Sequence, residues 1–170
     1  MKNIFINFLF IFTLASLATA QSISLKMGSV NLEKIEIGDK VSVPVYCQNI
    51  EGKVGTFQMY IEYDHDVLTY QKVNITNPDI KDNLKYNNTE NFWASVWISF
   101  TRQTLDIIPG SKLFELVFVY NGGESQLKFG NESILENKRI VKGETLFVTL
   151  DGTGFLLNVE NGCVCNNTNK

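Results

Sequence analysis

The segment Val54-Gly55-Thr56-Phe57-Gln58-Met59-Tyr60-Ile61-Glu62-Tyr63-Asp64-His65-Asp66-Val67-Leu68 changes character at nearly every residue. Phe57, Met59, Ile61 and Tyr63 fall on one side, and Thr56, Gln58, Tyr60 and Glu62 on the other. A period of two is the side-chain period of a β-strand with one face buried, so the first set belongs to a core and the second faces outward. Asp64 and Asp66 close the strand in a turn, because short carboxylates bond nearby backbone amides, and Val67 and Leu68 return to the interior.

The same period recurs on both sides of this segment. Ile23, Leu25 and Met27 alternate with Ser22, Ser24 and Lys26, and Val41, Val43, Val45 and Cys47 alternate with Ser42, Pro44 and Tyr46. Pro44 marks an edge strand or a bulge, because it has no backbone N–H to give a ladder. Further strands are expected over residues 68–75, 92–101, 112–120, 125–129, 145–150 and 155–159, with a weak one near Leu84 to Tyr86 inside a polar loop. Gly, Asn and Asp separate them at roughly ten-residue spacing, which predicts an all-β chain: a single antiparallel β-sandwich, jelly-roll-like, of about nine strands. Residues 21–160 form this one domain, and the Asn-rich residues 161–170 are expected to fray.

Residues 1–20 read as a secretory signal peptide: Lys2, an apolar run from Ile4 to Leu17, then Ala18-Thr19-Ala20. The run is shorter than the ~20 residues needed to span a bilayer. The expected product is secreted, extracellular or periplasmic, with no membrane attachment once the signal is removed. Loss of Lys2 takes the net charge from −3 to −4. An acidic chain without a basic run is a poor match for nucleic acid.

Catalytic chemistry is thin. His65 is the single histidine, so a Ser-His-Asp or Cys-His site would rest on one turn residue. Asp64, His65 and Asp66 read as a turn rather than a metal site, no phosphate-binding glycine loop opens a helix, and no cofactor is expected. The chain therefore reads as a non-enzyme. Three cysteines are too few for a disulfide-built scaffold. A long-range bridge from Cys47 to a tail cysteine, Cys163 or Cys165, would leave an odd thiol, and an unpaired buried Cys47 is the competing arrangement. Four N-x-S/T triplets begin at Asn74, Asn87, Asn131 and Asn166, and matter only in a eukaryotic secretory pathway.

The strand over residues 92–101 has two faces of different kinds. Ala94, Val96, Ile98 and Phe100 suit the core, leaving Trp93, Ser95, Trp97, Ser99 and Thr101 to face outward. Two indoles would then stand about 7 Å apart in one row among hydroxyls. Placed beside the 55–63 strand, this row joins Thr56, Gln58 and Tyr60 in one recognition face, suited to a protein partner or to a sugar chain stacked on the rings. The competing arrangement turns the indoles inward or covers them with the loop over residues 77–90, since Trp is highly buried on average.

In these segments the chain resembles the cohesin domain, the receptor module of cellulosome scaffolds, whose superfamily includes certain carbohydrate-binding modules. The resemblance is carried by Val41-Ser42-Val43-Pro44-Val45, by residues 54–64 with Val67-Leu68, by Ile98-Ser99-Phe100, by Lys112-Leu113-Phe114-Glu115-Leu116-Val117-Phe118 and by Leu127-Lys128-Phe129. It implies a nine-stranded, non-catalytic sandwich that binds the dockerin of another secreted protein, with calcium on the dockerin rather than on this chain. Thr56 and Gln58 stand where well-studied members carry Asn and Asp, so an acidic contact is missing. A carbohydrate-binding module that stacks polysaccharide on an aromatic sheet face is the alternative implied by the superfamily.

Overall fold

The computed structural model describes residues 21–89, 92–99, 103–136 and 139–166. The signal segment, Phe100, Thr101 and residues 167–170 lie outside the described residues. In chain order the strands are β1 (Ser22–Met27), β2 (Val30–Asn31), β3 (Lys40–Glu51), β4 (Thr56–Glu62), β5 (Leu68–Ile75), β6 (Leu84–Asn88), β7 (Phe92–Ile98) and β8 (Ser111–Tyr120). They continue with β9 (Ser125–Phe129), β10 (Ile134–Glu136), β11 (Arg139–Lys142), β12 (Leu146–Val148), β13 (Leu156–Glu160) and β14 (Gly162–Cys165). Besides a 3-10 turn at Leu32–Lys34, a short α-helix, α1 (Pro78–Lys81), starts where Asn77 Oδ1 accepts the Asp79 N–H at 2.8 Å.

One sheet runs β13-β1-β3-β8-β5, and the other runs β2-β14-β9-β4-β7-β6, with β12 also paired to β4. Hairpin β10-β11 stands apart as its own two-stranded ribbon. The architecture is the expected sandwich. Most pairs are antiparallel, but β13 pairs parallel to β1 and β14 pairs parallel to β2. Alternation along one strand carries no information about its neighbour's direction, so these two pairings were out of its reach.

The core is made of the inward residues of both sheets. Val41, Val43, Val45, Phe114, Leu116 and Phe118 come from one side, and Phe57, Met59, Ile61 and Trp93 from the other. Rings meet across the gap: Trp93 and Phe114 lie 5.1 Å apart, and Tyr63 meets Phe118 edge-on at 4.8 Å. Burial of this kind is worth ~1.5–3 kcal/mol per large apolar side chain, and well-oriented ring pairs add ~0.5–1.5 kcal/mol.

Pro44 lies in the middle of the sheet, between β1 and β8, and not at an edge. Its carbonyl accepts the Gly28 N–H at 2.8 Å just past the end of β1, so its missing N–H faces the place where the β1 ladder has stopped. The β3–β8 register shifts between Val45 and Tyr46, which is the expected bulge. The residues expected to fray instead supply β14, seated between β2 and β9 with Val164 fully buried. Gly162 passes so close to the Gly28 carbonyl that a Cβ would sit 2.2 Å from its oxygen.

The expected long-range bridge from Cys47 does not form. Cys163 is bonded to Cys165 along β14, while Cys47 is a free, buried thiol on β3 of the opposite sheet. The proposed Cys47–Cys163 bridge would have to join strands of different sheets.

Burial pushes the Cys47 thiol from 9.0 up to about 11 and the Tyr63 phenol from 10.0 up to about 12. Both groups hold their protons longer folded than unfolded. Their stabilising contribution is therefore complete below pH 9 and is lost as the pH rises through 11 and 12. Urea midpoints measured over that range should fall, and Cys47→Ala should soften the lower part of the fall; a flat profile would contradict the burial. At neutral pH, Phe114→Ala should cost ~3–5 kcal/mol in the same assay.

Candidate functional site

The strands β12, β4, β7 and β6 present one continuous outward surface. Register fixes its composition: Gln58 lies opposite Val96 and Leu146, Thr56 opposite Ile98 and Val148, Tyr60 opposite Ala94, and Lys85 opposite Val96. Paired residues share a face. Thr56, Gln58 and Tyr60 therefore stand where the alternation of β4 placed them.

The β7 assignment is reversed. Trp93 is fully buried, Trp97 and Ser95 nearly so, and the Ser99 Oγ is enclosed, whereas Val96 and Ile98 are 37% and 45% exposed. Thr101 lies outside the described residues. Both faces of β7 carry large apolar side chains, the indoles among hydroxyls on one and aliphatic groups on the other, so its alternation separates two sets without saying which is inside. Size settles it, because an indole removes ~150–250 Å² from water and Val or Ile less. With the indoles inside, the expected indole row is not available to a polysaccharide. Trp97 stacks on Phe57 at 6.1 Å, and Tyr86, half exposed, packs on the edge of the core against Trp93.

The residues missed at this surface are Val96, Ile98, Leu146, Val148, Lys85 and Asn87. The signal that could have found them is the fixed orientation of β4, whose neighbours must share its faces.

Two shallow grooves run along this surface. One, of about 240 Å³, is lined by Gln58, Tyr60, Lys85, Asn87, Ala94 and Val96. The other, of about 190 Å³, is lined by Thr56, Gln58, Val96, Leu146 and Val148. Gln58 and Val96 belong to both. Lys85 is the single charged side chain among the described residues that line them. An apolar centre with amide and hydroxyl groups around it is the composition of a protein-docking patch.

The polar groups are held from below. Gln58 Nε2 donates to the Glu144 carbonyl at 3.0 Å, and the Thr56 hydroxyl donates to the Trp97 carbonyl. Thr145 Oγ1 accepts the Tyr60 N–H at 3.1 Å and donates to the Tyr60 carbonyl at 3.2 Å. The Tyr60 ring is clamped between Phe92, 5.0 Å away edge-on, and the backbone at Gly143, where a Cβ would come within 2.0 Å of a ring carbon. Gly143 is thus required for the chain after β11 to lie against the sheet. Hairpin β10-β11, which precedes it, is closed at its open end by the Lys142–Glu132 pair at 2.8 Å, and the Ser133 hydroxyl accepts the Glu144 N–H at 3.2 Å.

The residues weighed for chemistry have structural partners. Asp64 Oδ1 accepts the Asp66 N–H at 2.9 Å, closing the turn, and the His65 ring packs at a tilt against Tyr63 with centroids 4.2 Å apart. Among the described residues, no three His, Cys, Asp or Glu side chains gather where they could hold a metal. No helix among them is long and apolar enough to cross a membrane.

Comparison with known proteins agrees with this architecture. The profile of the cohesin domain family matches residues 23–151, and the chain belongs to that family. Solved structures share the fold at low identity. The sixth cohesin of scaffoldin B from Acetivibrio cellulolyticus, in complex with a Cel5 dockerin mutant, is 18% identical with a TM-score of 0.67, over 85% of this chain and 99% of that one. A cohesin of Clostridium acetobutylicum, solved in solution, is 20% identical with a TM-score of 0.65, over 89% and 94%. A non-cellulosomal cohesin from the archaeon Archaeoglobus fulgidus is 16% identical with a TM-score of 0.62, over 84% and 89%. No curated protein matches the chain significantly.

Buried indoles have a direct optical signature. Native tryptophan emission should be blue-shifted and resist acrylamide, becoming quenchable only on denaturation. Strong quenching of the native chain would return the indoles to the surface.

Proposed function

We propose that this chain is a secreted, non-catalytic recognition module that captures a dockerin-bearing protein on the β12-β4-β7-β6 face, recruiting it to a polysaccharide-degrading assembly. The observation that carries the reading is the exposed Val96, Ile98 and Leu146 centre beside Gln58 and Thr56, in a member of the cohesin family. The structural neighbours from Acetivibrio cellulolyticus and Clostridium thermocellum that are described as cohesin–dockerin complexes support it. Calcium belongs to the partner, and export to the segment 1–20.

On this face the acidic contact expected from the family is Gln58, whose amide nitrogen is already committed to Glu144. The partner then gains its affinity from apolar side chains seated over Val96 and Ile98. A buried cluster of this kind concentrates the energy of an interface in a few residues.

The test is a pull-down with the immobilised chain from co-secreted proteins, with calcium or with a chelator, followed by sequencing of what is retained. Retained proteins should carry duplicated calcium-loop segments and be lost on chelation. Val96→Asp with Ile98→Asp should weaken retention at least tenfold, ~1.4 kcal/mol or more, because charges are placed in an apolar contact. Retention that ignores both the chelator and the double substitution would refute the reading.

A further inference from the structure

The β6 margin of the docking face differs in kind from its centre. Register lays Leu146, Gln58, Val96 and Lys85 in one row across four strands, and Tyr60, Ala94 and Asn87 in the next. Alternation puts Lys85 and Asn87 on the same side of β6, about 7 Å apart. Both are exposed, and both line the groove of about 240 Å³. β6 is the last strand of its sheet, so these two side chains form the rim of that groove.

Lys26, Lys112 and Lys142 each hold a glutamate at 2.6–2.8 Å, whereas Lys85 has no ionic or hydrogen-bond partner among the described residues. The acidic residues of the same face do not answer it. Glu62 lies four residues along β4 from the row of Lys85, ~13 Å away, which exceeds the ~8–10 Å over which a charge is felt through salt water. Glu144 meets the face through its carbonyl, taken by Gln58 on the β12 side. The ammonium of Lys85 is therefore uncompensated, and its strand runs ~4.8 Å from that of Val96.

A partner seated over Val96 strips water from the neighbouring ammonium. A charge that loses water and gains no counter-charge opposes binding, whereas a carboxylate set against it offsets the loss. A lysine or arginine of the partner would be repelled there, and an aliphatic side chain alone would leave the ammonium unpaired. Asn87 adds a neutral donor through its amide nitrogen, so the rim offers two donors to the two oxygens of a carboxylate.

We infer that Lys85, assisted by Asn87, is the specificity-determining residue of this face, and that it selects a partner presenting an aspartate or glutamate. The acidic side chain lies with its stem over Ala94 and Val96 and its carboxylate between the Lys85 ammonium and the Asn87 amide. The inference rests on the docking reading above and adds the sign of the partner's charge and the place where it lands.

The test uses the full chain and the proteins it retains in the presence of calcium. A water-soluble carbodiimide joins an ammonium to a touching carboxylate as an amide, the displaced oxygen leaving in the urea. Peptide sequencing of the cross-linked complex should find Lys85 joined to an aspartate or glutamate of the retained protein. Lys85→Arg should keep the retention and abolish that cross-link. Lys85→Glu should weaken retention at least tenfold and Asn87→Asp about fivefold, while Lys40→Glu, on the opposite sheet, should change nothing. Urea midpoints of all four variants should match the parent. Calcium-dependent retention that ignores Lys85→Glu overturns this inference and leaves the docking module standing, and retention strengthened by Lys85→Glu overturns it by assigning a basic contact. Absence of any calcium-dependent retention removes the docking reading itself, and this inference with it.

Discussion

The contact between Trp93 and Phe114 joins the two sheets and also sets the orientation of β7. Because side chains alternate strictly along a strand, placing one residue inside places every other one. Trp93 inside carries Ser95 and Trp97 with it and sends Ala94, Val96 and Ile98 to the surface. The composition of the β12-β4-β7-β6 face is therefore a consequence of core packing. The largest rings occupy the interior, and the smaller aliphatic side chains left over supply the surface proposed for docking.

The fold was legible because β1, β3 and β4 each have one apolar and one polar face. For β4, Thr56, Gln58 and Tyr60 could be assigned to the outside from the sequence, and the structure puts them there. β7 offers no such contrast, because the indoles alternate with serines on one face and the other is aliphatic, which leaves the direction of burial to volume and to the neighbours. Leu146 and Val148 were equally hidden, since their place beside Thr56 and Gln58 arises from a pairing between residues nearly ninety positions apart. The parallel partners β13 and β14 belong to the same category. Polar, glycine-rich sequence at 161–166 resembles a loose end, but Gly162 is there because the neighbouring backbone leaves no room for a side chain.

Short-range chemistry was easier to read than long-range chemistry. The turn after β4 follows from Asp64 and its carboxylate bond to Asp66, both within a few residues. The partners of the cysteines do not. Cys47 behaves as a small apolar side chain in the core, and its thiol is better described by what surrounds it than by its reactivity.

The scarcity of charge on the docking face, where Lys85 stands alone in the grooves, bears on the tempo of recognition as well as its strength. Long-range fields guide oppositely charged surfaces together and fade with added salt. A face centred on Val96, Ile98 and Leu146, with one positive and one negative side chain, Lys85 and Glu62, at its margins, carries little such field. Encounters with it are set by diffusion and by the odds of correct orientation, and a complex formed there endures through slow separation of surfaces that have shed their water. Such a face is suited to holding what it has caught in brackish as well as fresh surroundings, since ionic strength has little on it to screen.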